Sequence, residues 1–140
     1  MVTVNYEDLS EAFDFVSFGA PTEHRAYISM DTGTIHWISE IDPLDEDTPG
    51  DLETSDRYIE VPHKNELDLG RDLLLRFTAQ ELPDQYETVA AHFRRRGAYA
   101  RVKELLASHD RLEKWYRFEE ECRARALKTW CGENGIEVID

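Results

Sequence analysis

The chain has 140 residues, 30 Asp or Glu against 16 Lys or Arg, and a formal charge of −14, a length that suits one domain. Leu, Ile, Val and Phe supply 33 residues, above the ~20% share below which disorder is the better guess, so a core without metal or disulfides is expected. Together with the absence of any apolar run near the ~20 residues a bilayer needs, this excludes a membrane-spanning helix, a coiled-coil rod and a protein that coats DNA generally.

The charge is unevenly placed. Residues 1–62 hold 15 acids against Arg25 and Arg57, whereas residues 63–140 hold 15 acids and 14 bases. Residues 1–140 therefore read as a single domain with an acidic helix-plus-sheet half (1–62) and a helical half (63–140). The acidic half should repel a phosphate backbone, so no duplex nucleic acid is expected as a partner. No basic stretch followed by an apolar one opens the chain, and a cytoplasmic location is the expectation.

Asn5 suits a helix N-cap, and Tyr6, Leu9, Ala12, Phe13 and Val16 then share one helical stripe until Gly19-Ala20-Pro21. Residues 24–40 alternate around Asp31-Thr32-Gly33-Thr34 and predict a hairpin. A two-residue Thr32-Gly33 loop sets Ile28 opposite Trp37 and Arg25 opposite Glu40, keeping apolar residues on one face. A three-residue loop would set Ile28 opposite His36, and the first is preferred. If that face is core, Trp37 is part of it. Residues 41–56 are crowded with acids and turn-formers and predict a loop. Arg57-Tyr58-Ile59-Glu60-Val61 alternates and predicts a short third strand, stopped by Pro62.

The rest reads as helix. Residues 67–79 are least regular. Asp84 with Glu87 suggests a capped start to a helix running to Gly97, residues 98–107 form a short helix, and Asp110 suits the N-cap of a long one ending near Gly132. The last helix's stripe is Leu112, Trp115, Tyr116, Cys122, Ala126, Leu127 and Trp130. Cys122 and Cys131, nine residues apart on that helix, lie about 13–14 Å apart along its axis and cannot bridge. Cys122 falls on the stripe and Cys131 off it, so Cys131 is expected to be the more reactive thiol.

Arg96-Gly97-Ala98-Tyr99, Arg101, Lys103, Trp115-Tyr116-x-Phe118, Ala126 and Trp130-Cys131-x-Glu133-Asn134-Gly135-Ile136 resemble a bacterial family catalogued as uncharacterised protein family one hundred fifty-eight. The N-terminal helix and Thr-Gly hairpin extend the likeness over most of the chain. Glu119 and Ala100 stand where that family tends to carry basic residues. The resemblance implies a bacterial source and an α+β build, and it implies no established reaction.

Two clusters are candidates for binding. Arg96, Arg101 and Lys103, beside Arg94 and Arg95, form the basic cluster and would hold a phosphate or carboxylate near the helix start at Ala98. The competing reading is that these arginines only complement a helix end, and that three in a row fan out at 100° steps. Asp45, Glu46, Asp47 and Asp51 lie in an acidic run, residues 40–60, that would meet a basic protein partner. Asp45-x-Asp47-x-x-Gly50 with Asp56 resembles a calcium loop, but Pro49 takes a ligand position and no helices flank it. The five histidines show no metal spacing, and no cofactor is implied. Ser108-His109-Asp110 has triad residue types, but neighbours in sequence do not make a triad. The aromatic stripe of the last helix reads as core before it reads as a base-stacking platform.

The reading is therefore an α+β fold with an N-terminal helix, a small antiparallel sheet (a hairpin plus a short third strand) and a C-terminal helical half. The expected function is a small acidic, non-enzymatic protein-interaction or regulatory module with no catalytic residues. Alternatives are an anion- or nucleic-acid-binding protein using residues 94–103, and a hydrolase with an unidentified site.

Overall fold

The computed structural model describes residues 2–20, 23–39 and 50–140. The fold is α+β: β1 (Val2–Asn5), α1 (Tyr6–Ser17), β2 (His24–Ser29), β3 (Ile35–Ser39), β4 (Tyr58–Glu60), α2 (Arg71–Glu81), α3 (Tyr86–His92), α4 (Ala98–Ser108), α5 (Leu112–Glu133) and β5 (Ile136–Ile139). The chain divides into two compact units, one of Met1–Leu67 with Leu127–Asp140 and one of Asp68–Ala126. No helix among the described residues is long and apolar enough to cross a membrane.

In the first unit, Asn5 caps α1 as its position suggests. Its Oδ1 accepts from the amides of Glu7 (2.8 Å) and Asp8 (3.4 Å), so two of the donors left free at a helix start are satisfied. Leu9, Ala12, Phe13 and Val16 are buried. At the far end Ser17 Oγ accepts from Lys64 N at 3.0 Å.

Strands β2, β3 and β4 form an antiparallel sheet with β2 in the middle, which is why Ala26–Ser29 is buried on both faces. The register differs from expectation: Ile28 pairs with Ile35, Ala26 with Trp37 and Arg25 with Ile38, while Glu40 lies outside the described residues. The cause is the loop. Ser29 accepts at its carbonyl from Gly33 N (2.8 Å) and donates its own amide to Thr34 O (2.8 Å). Its Oγ accepts from the amides of Asp31 and Thr32, each at 3.3 Å. Four residues, not two, therefore turn the chain. The slip is two residues, so every side chain keeps its face and only its partner changes. Gly33 is at φ +81, and a Cβ there would run into the Thr3 carbonyl oxygen, so the hairpin tip sits directly on β1.

β1 also pairs with β5 in parallel, Val2 with Ile136 and Val4 with Val138. Neither strand of this pair is among the expected elements. Val2, Val4 and Ile136 are buried, with Leu127 and Cys131 of α5.

The second unit is helical. Leu73, Leu74 and Phe77 of α2, Val89 of α3, Val102 and Leu106 of α4 and Trp115 of α5 form its core, with Phe77 edge-on to Trp115 at 5.4 Å between centroids. The helix expected over 84–96 is broken into a 3-10 turn, Pro83–Gln85, and the seven-residue α3, without a side-chain cap. Asp110 does not cap α5. It is left-handed, at φ 58, and closes α4 instead, with Asp110 N donating to Ala107 O at 3.1 Å. Tyr116, placed on the apolar stripe by spacing, is 45% exposed.

Candidate functional site

The basic cluster lies where the chain leaves α3. Arg94 N donates to Ala91 O (3.2 Å) and Arg95 N to His92 O (3.1 Å), so the three arginines occupy a turn past the helix and the 100° fan does not apply. Gly97, at φ +74, begins α4 with no side-chain cap. Arg94, Arg95 and Arg101 line one open groove of about 540 Å³ with Glu87, Thr88, Ala91 and His92. Arg96 and Lys103 are not part of it. The Lys103 ammonium instead lies 5.6 Å from the centroid of the Tyr116 ring, a cation–π distance. The structure thus brings Arg101 together with Arg94 and Arg95, and leaves the other two members of the sequence trio elsewhere.

Of the acidic candidates, Asp45, Glu46 and Asp47 lie outside the described residues. Asp51 is exposed, and its carbonyl accepts from Ser55 N at 2.9 Å in the turn leading to β4. Glu53 and Glu60 close on Arg25 at 3.0 and 3.9 Å. Burial pushes the neighbouring Tyr27 phenol up, aided by the Glu60 carboxylate and opposed by Arg25. Over the whole chain, Met1–Leu67 with Leu127–Asp140 contains 19 acids and four bases, and Asp68–Ala126 contains 11 acids and 12 bases. The first unit carries −15 and the second +1.

Hydrolytic chemistry finds little support at the serine–histidine pair. Ser108 Oγ donates to Leu105 O at 2.7 Å and is 3.4 Å from His109 Nδ1, all on an exposed helix end. Among the described residues no group of three His, Cys, Asp or Glu could hold a metal. His63 is buried and held on both sides: its Nδ1 accepts from Asn65 N at 3.1 Å, which leaves Nε2 to donate to Gly19 O at 3.2 Å. That pattern fits a neutral structural imidazole. Cys131 is fully buried and Cys122 only partly, the reverse of the expected order, and burial pushes the Cys131 thiol up to about 11. Its placement follows β5: the last turns of α5 serve the first unit's core, where a stripe drawn from Leu112 no longer holds.

A second groove is not foreshadowed by any motif in the sequence. Val4, Asn5, Asp8, Glu11, Gly33, Thr34, Ile35 and Trp37 line a cleft of about 290 Å³ between the start of α1 and the hairpin. Trp37 is not core: it is 44% exposed, with its ring 4.9 Å from that of Phe15. An exposed tryptophan cannot be told from a buried one by strand alternation alone, so the only signal was Asp8 and Glu11 one helical turn apart. No family model, curated protein or solved structure matches the chain.

Proposed function

We propose that the protein is a small, non-enzymatic interaction module whose acidic first unit engages a basic surface on a protein partner. The observation that supports this reading is the charge partition: the first unit carries the whole of the chain's net charge, which favours encounter with a basic partner and disfavours polyanions. Association with an arginine-rich protein such as a histone tail should slow as salt rises and the Debye length shrinks. Replacing Asp45, Glu46 and Asp47 by Asn, Gln and Asn should slow it further while the circular-dichroism spectrum stays unchanged. Binding insensitive to both would end the reading.

The Arg94–Arg95–Arg101 groove favours a second reading, in which the helical unit holds a phosphate or carboxylate. Inorganic phosphate should then shift the Arg101 side-chain resonances, and Arg101→Ala should remove the shift.

A further inference from the structure

We infer that the cleft between α1 and the hairpin is a receptor for a single arginine side chain of a basic polypeptide, stacked on Trp37 and paired with Asp8 and Glu11. This deepens the proposed function and rests on it. The walls supply the three things that such a side chain needs. The first is a ring face: Trp37 is 44% exposed and is held from one side by Phe15, which leaves an indole surface open to a planar cation.

The second is negative charge. Asp8 and Glu11 are both exposed, neither carboxylate has an ion pair among the described residues, and the cleft lining holds no basic residue. Glu7 and Asp8 already complement the positive end of α1. Glu11 lies beyond the first turn, so helix stability does not account for it. The third is size. At about 290 Å³ the cleft falls just short of the ~300–1,000 Å³ that enclose drug-sized ligands, and it suits one side chain. Arginine is preferred to lysine because a flat guanidinium can stack on the indole and reach carboxylates with its edge, whereas an ammonium cannot do both.

The cleft is also built to keep its shape. The Gly33 backbone packs on the Thr3 carbonyl, fixing the hairpin against β1, and the Asn5 cap fixes the start of α1.

The test uses the full chain and two ten-residue peptides, one alternating Arg with Gly and one alternating Lys with Gly. The arginine peptide should change the tryptophan fluorescence of the wild type and bind more tightly than the lysine peptide. Trp37→Phe should abolish the fluorescence change, and Asp8→Asn with Glu11→Gln should weaken binding about three- to tenfold. The Asp45, Glu46 and Asp47 variant should weaken overall affinity yet keep the fluorescence change. Asp8, Glu11 and Trp37 are exposed, and unchanged circular dichroism of every variant will confirm folding. If Trp37→Phe and the Asp8/Glu11 variant bind like the wild type while the 45–47 variant loses affinity, the cleft is not the receptor and the acidic-module reading stands. Equal binding of both peptides overturns the arginine preference on which the inference rests. No binding of either peptide at low salt overturns both.

Discussion

Thiol chemistry offers a sharp check on how α5 is shared between the two units. Cys131 is 0% exposed and its thiol is pushed from the ordinary 9.0 to about 11 by burial. Two pH units reduce the thiolate near pH 8 about a hundredfold before any steric protection is counted. Cys122 is only partly buried. Under native conditions a disulfide reagent should therefore modify one thiol per chain quickly, at Cys122, and the second much more slowly, at the fully buried Cys131. Full denaturation should make the two equivalent. The same burial has a thermodynamic side. Because the folded thiol holds its proton more tightly than the unfolded one, its contribution is complete below pH 9.0 and lost as pH rises towards about 11. The loss is at most about 3 kcal/mol. Urea titrations across that range should show it, and Cys131→Ala should remove the thiol's share of the pH slope while leaving that of Tyr27, whose raised phenol acts in the same direction above pH 10. Comparable native reactivity of the two thiols would refute the placement of Cys131 in the first unit's core.

Trp37→Ala should cost no more than about 1–2 kcal/mol in urea unfolding, well under the ~3–5 of a buried aromatic, because the ring is already half in water. Phe77→Ala should cost about 3–5 kcal/mol by the same measurement, since Phe77 packs on both Trp115 and Phe118 in the second unit's core. Gly33→Ala should destabilise by about 1–3 kcal/mol, as a left-handed residue pressed on the Thr3 carbonyl, and its thermal midpoint would show it. Asn5→Ala should remove the α1 cap and cost about 1 kcal/mol.

Where local chemistry sets a structure, the sequence was legible. Asn5 announced its helix because a cap is a short-range hydrogen bond, and the hairpin's side-chain parity survived a slip of two, although Trp37 on the expected core face is half exposed. The hairpin's partners were not, since Ser29 Oγ competes for two loop amides and no alternation pattern reports that. Asp84 and Asp110 look like caps by composition, yet Pro83 opens a 3-10 turn and Asp110 turns left-handed. Those outcomes depend on how neighbouring helices meet. The β1–β5 pair joins residues more than 130 positions apart, and neither four-residue strand is distinctive alone. Missing it also put Cys131 on the wrong side of α5 and left the Trp37 cleft without its β1 wall.

That parallel pair has a consequence for the order in which the chain can fold. The second unit is one uninterrupted stretch, Asp68–Ala126, so its core can assemble from nearby residues while synthesis continues. The first unit is interrupted by it. On a ribosome, β1 must wait with Val2 and Val4 unpaired until Ile136–Ile139 has emerged, and closing so long a loop is slow compared with local helix packing. In the interval the excess negative charge of residues 1–62 should repel one nascent chain from another while an open strand edge is exposed.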